Sequence, residues 1–210
     1  MFPYVLTMKE YLLLSLSILF FGCDSLFRTR EAEDPKENVG RSLWQQPTSP
    51  DIVLENMSNA FLERNAENYM RCLMDSSNSE RDFVYIPDQE TAINNPGAFD
   101  NWMLEDERRY INLLFSKSSL PSGALALLGF EEFEEPSIPS DTATFEEVYD
   151  LDIRHQLENV PTRMKGIAKL RMAKDFSGNW SIYRWEDLAF SSEDDTLKLP
   201  TWSEMKARAQ

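Results

Sequence analysis

The pattern of apolar and polar positions predicts helices in the first part of the folded region and strands in the second. Residues 51–75 carry two stripes of apolar side chains at helical spacing, and the polar Asn65 lies between them. A short group of capping residues precedes the first stripe. The pattern therefore predicts two consecutive helices, then a short strand at 82–88 and a third helix at about 102–115.

Beyond Pro121 the apolar spacing changes from helical to alternating. Four segments predict long antiparallel strands: "LALLGFEEFEE", "TATFEEVYDLDIRHQL", "TRMKGIAKLRMAKD" and "NWSIYRWEDLAF". In the second segment, apolar residues and His155 occupy one face and charged residues the other, with Val148 as the exception. Such alternation indicates a sheet with one packed face and one solvated face. For residues 191–210 we expect a C-terminal tail with a short, frayed helix.

The N-terminal stretch "YLLLSLSILFFGC" places twelve uncharged residues before its cysteine. A transmembrane helix needs about 20 apolar residues, so this run is too short to span a membrane and matches the apolar core of an export signal. Gly22 directly before Cys23 resembles the lipobox of bacterial lipoproteins. The resemblance implies that residues 1–22 are a signal peptide and that Cys23 is lipidated. It also implies a lipid-anchored location in the cell envelope, on the periplasmic side of either membrane or at the cell surface.

Two features of this stretch differ from the lipoprotein pattern. Phe20 stands where lipoproteins usually have an aliphatic residue, and only Lys9 is basic. A translation start at Met8 instead of Met1 gives the more typical "MKEYLLLSLSILFFGC". An ordinary export signal, or a core helix with an incidental cysteine, is the alternative interpretation of Cys23.

Composition indicates a tether before the domain and argues against several classes of ligand. Residues 23–50 are charged, contain proline and lack sustained periodicity, which predicts a flexible tether before a domain at 51–190. The formal charge of −15 argues against nucleic-acid binding, because an acidic surface repels phosphates. Cys72, the second of two cysteines, lies on an apolar stripe and is expected to be buried. One histidine and one free thiol cannot form a zinc site, and phosphate-binding glycine loops are missing, so we expect no metal and no cofactor.

Three segments carry a resemblance to a known fold family: "AFLERNAENYMRCL", "FVYIPD" and the closing "GNWSIYRWEDL". Their aromatic positions, polar break and final aromatic strand resemble nuclear transport factor 2-like domains, which include polyketide cyclases and ketosteroid isomerase. The resemblance covers about residues 51–190. It implies an α+β fold in which N-terminal helices pack on a strongly curved antiparallel sheet and form a cone. This fold hosts enzymes, carriers and scaffolds, so it assigns no function by itself.

The resemblance also indicates where chemistry would lie. Enzymes of this family use a buried Asp or His base and a Tyr or acid that stabilises an oxyanion. His155 is the single histidine; we expect a neutral, structurally hydrogen-bonded histidine, and a catalytic base or ligand group is the alternative. If the cone is open, we expect its cavity to be lined by a set of aromatic and polar residues, and if it is filled these are core residues: Tyr69, Tyr85, Trp102, Tyr149, His155, Trp185 and Asp187.

Taken together, these patterns predict a lipid-anchored, non-catalytic envelope domain that binds a small apolar ligand or a protein partner. The alternative is a small enzyme of the isomerase, dehydratase or hydrolase type that uses His155 as its base. A homodimer formed through the sheet face is compatible with the first hypothesis. The sequence identifies neither the ligand nor the partner.

Overall fold

The computed structural model describes residues 42–191 and 198–209 of the 210-residue chain. The predicted signal peptide, Cys23 and most of the predicted tether lie outside the described residues. The helices are α1 (Pro50–Glu63), α2 (Ala66–Arg71), α3 (Gln89–Asn94), α4 (Leu104–Leu114) and α5 (Trp202–Arg208). The strands are β1 (Val84–Ile86), β2 (Ala126–Ser137), β3 (Thr142–Ile153), β4 (Arg163–Lys174) and β5 (Trp180–Ala189). The α+β fold class predicted from the sequence is confirmed.

The polar break between the first two helices is a helix end followed by a new helix start. Arg64, which follows α1, has a φ of 54°, so the chain leaves the helix through the left-handed region. Asn65 then accepts a hydrogen bond from the backbone nitrogen of Asn68 and caps α2. The Arg64 side chain donates to the carbonyl oxygens of Pro121 and Ala124, which attaches this corner to the segment before β2.

The sheet has the strand order β1-β5-β4-β3-β2. Its four long strands are antiparallel, and the short β1 pairs with β5 in parallel at one edge. Side chains of β3 alternate without a break between buried and half-buried positions, as predicted. We call the side with the buried residues of β3 the inner face and the opposite side the outer face.

Helix α5 packs against the inner face, and this differs from the expected frayed tail. Trp202, Ser203, Met205 and Lys206 are all 0% exposed. The indole ring of Trp202 meets Phe61, Tyr149 and Trp185 edge to face, with ring centroids 4.7–5.6 Å apart. An apolar ring of this size removes a large area from water when it is buried, which stabilises a helix of only seven residues in this position.

The final part of the predicted tether, residues 42–49, also bonds to the folded domain. The backbone of Gln45 exchanges two hydrogen bonds with the side chain of Asn56, at 2.8 and 2.7 Å. The carbonyl oxygen of Pro47 accepts a hydrogen bond from the backbone nitrogen of Trp180 at 2.8 Å. Residues 42–49 therefore bond both to α1 and to the start of β5.

Two smaller features of the fold are a buried cysteine and a short helix after β1. Cys72 is buried, as predicted. Helix α3 was missed by the sequence analysis; Asp88 caps it by accepting a hydrogen bond from the backbone nitrogen of Thr91. Within the described ranges, no helix has the length and apolar character to cross a membrane.

Candidate functional site

Helix α5 brings a lysine and a serine next to two carboxylates that are buried between the helices and the inner face. Glu107 comes from α4, Asp187 from β5, and Ser203 and Lys206 from α5. All four are 0% exposed. We call these residues and the aromatic side chains that touch them the interior cluster. The aromatic members are Tyr69, Tyr85, Trp102, Tyr110, Tyr149, Trp185 and Trp202.

Glu107 is the anionic centre of one half of the interior cluster. It forms an ion pair with Lys206, whose Nζ lies 2.7 Å from its Oε2. Its carboxylate also accepts hydrogen bonds from the hydroxyl of Tyr69 at 2.5 Å and from the indole nitrogen of Trp102 at 2.7 Å. These donors satisfy both oxygens, as a carboxylate removed from water requires.

Five aromatic rings surround the ammonium group of Lys206. The distances from Nζ to the ring centroids are 3.5 Å for Tyr85 and 5.1–5.8 Å for the other four: Trp185, Tyr110, Trp102 and Trp202. A cation within about 6 Å of an aromatic ring is attracted by the negative charge of the ring face. Burial lowers the pKa of Lys206, and the neighbouring Glu107 opposes that change.

Asp187 is the centre of the other half of the interior cluster. Its carboxylate accepts hydrogen bonds from the hydroxyls of Tyr149 at 2.7 Å and Tyr85 at 3.1 Å. Ser203 donates to it through its backbone nitrogen at 2.7 Å and its hydroxyl at 2.5 Å. Burial raises the pKa of Asp187, whereas the hydrogen bonds from Ser203 and Tyr149 lower it, and burial has the larger effect.

Because Gly166 on β4 has no side chain, the ring of Tyr149 has room to place its hydroxyl against Asp187. Tyr149 pairs with Gly166 across the β3–β4 ladder, and its ring lies over the glycine. A Cβ atom at Gly166 would lie 2.7 Å from Cζ of Tyr149 and 2.7 Å from the carbonyl oxygen of Leu188. The hydroxyl of Tyr149 also accepts a hydrogen bond from the backbone nitrogen of Trp202 at 2.7 Å, which joins β3 to the start of α5.

Six of the seven residues expected along the cavity lie in the interior cluster, and they surround α5: Tyr69, Tyr85, Trp102, Tyr149, Trp185 and Asp187. His155 does not. Its Nδ1 accepts a hydrogen bond from the backbone nitrogen of Leu157 at 3.2 Å, so its Nε2 carries the proton and donates to the carbonyl oxygen of Pro161 at 3.0 Å. His155 therefore holds the β3–β4 connection, and within the described ranges no carboxylate or tyrosine hydroxyl hydrogen-bonds to it.

The predicted cavity lining leaves out five members of the interior cluster: Glu107, Tyr110, Trp202, Ser203 and Lys206. A signal for Glu107 exists, because it shares the i, i+3, i+4, i+7 stripe of α4 with Tyr110, Ile111 and Leu114. A charged residue on an apolar stripe indicates a buried, paired charge. Lys206 stands four residues after Trp202, on the same side of α5, and carries the same signal.

Protein groups occupy the space beside both carboxylates of the interior cluster. Both carboxylates bind protein donors, and the side chains of Trp202 and Lys206 fill the space beside them. A cavity of about 290 Å³ reaches the cluster from the surface and is lined by Trp102, Tyr110 and Ala209 together with Asp100 and Asp106. In the part of the chain that the structure describes, no group of three or more His, Cys, Asp and Glu residues is placed to hold a metal ion.

No protein-family model matches this chain. No curated protein matches it either. Among solved structures, it is similar to an NTF-2-like protein of unknown function from Shewanella oneidensis MR-1, with 17% identity and a TM-score of 0.45, over 67% of this chain and 98% of that one. It is also similar to a domain of unknown function with a cystatin-like fold from Nostoc punctiforme, with 11% identity and a TM-score of 0.42, over 68% and 75%. A third similar structure is the Kfla4162 protein of Kribbella flavida, with 13% identity and a TM-score of 0.46, over 76% and 94%. At these identities and TM-scores, the similarities indicate no shared function.

Proposed function

We propose that this chain is a lipid-anchored, non-catalytic binding domain of a bacterial cell envelope. The observation that carries the proposal is the filled interior: Trp202 and Lys206 are 0% exposed and fill the space between the helices and the inner face. Every carboxylate oxygen of Glu107 and Asp187 faces a protein donor, so neither group is free to act on a substrate. A domain of this kind acts through its surface, by holding a protein partner or a small apolar ligand.

The anchor rests on the match of "FFGC" to a lipobox and is tested by fractionation. Expressed in a lipoprotein-processing bacterium, the full chain should label with a fatty acid and sediment with membranes. Cys23→Ala should abolish the label and move the domain to the soluble fraction. Cys72→Ala is the matched control, because Cys72 is the other thiol of the chain and is buried. Membrane sedimentation of Cys23→Ala equal to that of the parent would refute the anchor.

One surface supports the proposal that the partner is a second copy of the chain. Val148, Ile167 and Leu188 stand opposite one another across β3, β4 and β5 on the outer face, and Leu188 is 40% exposed. A row of apolar side chains across three strands forms a patch that a second sheet can cover. Sedimentation of the parent should show a dimer that Ile167→Asp converts to a monomer. A monomeric parent at high concentration would contradict pairing through this face.

A further inference from the structure

The charged group with the most unusual surroundings in this molecule is the ammonium of Lys206. Four of the five rings around it come from elements other than α5, and so does Glu107. We call Tyr85, Trp102, Tyr110, Trp185 and Glu107 the ammonium cage. These residues come from β1, the segment before α4, α4 itself and β5. Other residues of α5 also contact them: Ser203 hydrogen-bonds to Tyr85, and the indole of Trp202 donates to the hydroxyl of Tyr110.

We propose that the ammonium cage is a binding site for organic ammonium ions, and that the side chain of Lys206 occupies it in this structure. An external ligand of the same chemistry, a primary alkylammonium group, competes with Lys206 for the cage. This inference goes beyond the proposed function, because it depends neither on the lipid anchor nor on pairing of the outer faces.

Stability alone gives weak reason for a lysine at this position. Replacing a buried ion pair with apolar residues of similar volume is often neutral or stabilising, because both charges lose their hydration when they are buried. A lysine side chain also loses about 2 kcal/mol of rotamer entropy when it is fixed. The cage favours a cation specifically, since ring faces and a carboxylate together are the usual surroundings of a recognised ammonium group.

The ammonium group of Lys206 balances the negative charge of Glu107 in the ammonium cage. Tyr69 and Trp102 donate hydrogen bonds to Glu107 but carry no charge, and within the described ranges Lys206 is its ion-pair partner. Without the lysine side chain, the cage is a cavity with one buried negative charge and aromatic walls. Such a cavity attracts a cation of matching length and rejects a neutral molecule of the same shape.

The surface next to the cage also favours cations. The cavity of about 290 Å³ is lined by Trp102 and Tyr110, which are two of the cage rings, and by Ala209 at the end of α5. Asp100 and Asp106 lie in the same lining, where Arg109 pairs with Asp106. The chain carries a formal charge of −15, which raises the local concentration of cations around such a cavity.

The test is to remove the lysine side chain and supply its missing part. Lys206→Ala deletes three methylene carbons and the ammonium group, which together correspond to n-propylammonium. Titrated into the full-chain variant, n-propylammonium chloride should raise the melting temperature with a saturable dependence, by about 3–6 °C at ten times its Kd. Sodium chloride at the same ionic strength and 1-propanol at the same concentration should each give less than a third of that shift.

A second variant separates recognition of the charge from filling of the cavity. In Glu107→Gln/Lys206→Ala, n-propylammonium should bind at least tenfold more weakly, as measured by calorimetry or by quenching of tryptophan fluorescence. If Lys206→Ala is unfolded at the start, the same titration follows ligand-induced refolding by circular dichroism. The proposal is overturned by equal effects of n-propylammonium and 1-propanol, by equal binding to the two variants, or by an unfolded variant that n-propylammonium fails to refold.

Discussion

The domain contains ion pairs of similar geometry in two opposite environments. Inside, Lys206 and Glu107 are 2.7 Å apart and both side chains are 0% exposed. On the outer face, Arg163 and Asp150 are 3.1 Å apart, and their side chains are 56% and 45% exposed. The interior pair is surrounded by aromatic rings, whereas the outer pair lies in a ladder of charges beside water.

The comparison indicates that burial, more than the distance between the charged atoms, determines how much an ion pair affects the free energy of unfolding. Breaking a buried pair by removing one partner leaves a charge without hydration and costs about 3–5 kcal/mol. Breaking an exposed pair costs about 0–1 kcal/mol, because water replaces the lost partner. We therefore expect the interior pair to fix the position of α5, and the outer pairs to adjust the charge of the surface without specifying the fold.

The largest expected effect follows from breaking the interior pair. Lys206→Ala should lower the free energy of unfolding by about 3–5 kcal/mol, because Glu107 becomes an unpaired buried charge. Urea denaturation followed by circular dichroism measures the change. The double variant Glu107→Gln/Lys206→Met, which removes both charges and refills the space, should recover at least half of the loss. A loss below about 1 kcal/mol in the single variant would remove the distinction between the two environments.

A feature of the fold could be predicted where the sequence pattern that indicates it lies within one short segment. The strands β3 to β5 were predictable, because alternation along one segment reports which face is buried. Asn65 was predictable as a break, because its side chain caps the helix that follows it. The position of α5 was not, because the burial of Trp202 depends on Phe61, Tyr149 and Trp185, which are distant in sequence.

Most aromatic members of the interior cluster, and Asp187, could be predicted from the sequence. Aromatic residues in helix and strand patterns are expected inside, and six of the predicted lining residues are in the interior cluster. Glu107 and Lys206 were missed, because isolated glutamates and lysines are rarely buried without a partner. A sequence does not show that two such residues 99 positions apart meet. Backbone groups hydrogen-bond to both ring nitrogens of His155, and the sequence does not show such contacts.

The second prediction tests whether the inner face is packed as tightly as its hydrogen bonds imply. Gly166→Ala should cost about 2–4 kcal/mol, because its Cβ meets the ring of Tyr149 and the carbonyl oxygen of Leu188. The displaced hydroxyl of Tyr149 would lose Asp187 and the backbone of Trp202. Gly129→Ala is the matched control on β2: a Cβ there meets nothing within 4 Å, so we expect a change below about 0.5 kcal/mol. Equal denaturation midpoints of the two variants would contradict this account.

Glu147 is a buried carboxylate on the inner face, and within the described ranges it forms no ion pair with a cation. Its effect on stability should therefore depend on pH. Burial, together with the smaller effects of the nearby carboxylates of Glu132 and Asp51, raises the pKa of Glu147 to about 7. The pKa in the folded state therefore lies above the ordinary value of 4.5. This contribution to stability is complete below pH 4.5 and is lost as the pH rises through 7.

Replacing Glu147 should therefore change the pH dependence of stability. Glu147→Gln should be as stable as the parent near pH 5 and more stable by about 1 kcal/mol at pH 8, after allowance for solvent screening of the exposed Glu132 and Asp51. Urea midpoints at the two pH values measure this. Glu132→Gln removes one of the two repelling carboxylates and should produce a smaller change of the same sign. Parallel pH profiles of parent and Glu147→Gln would contradict the raised pKa.

The smallest expected effect is on the outer face. Arg163→Gln removes the partner of Asp150 and should lower the urea midpoint less than any of the changes above, with the difference vanishing in 1 M NaCl. Lys206→Ala should keep most of its loss in the same salt, because the Lys206–Glu107 pair of the parent is 0% exposed and is therefore little screened. The measurement also tests pairing of the outer faces, since Arg163 lies on the strand that carries Ile167. If two sheets cover this face in a dimer, the loss in Arg163→Gln should grow with protein concentration, because the exposed pair becomes a partly buried one. A loss that is small and independent of concentration leaves the interior pair as the one that specifies structure, and it removes the outer face as the place where a second copy binds.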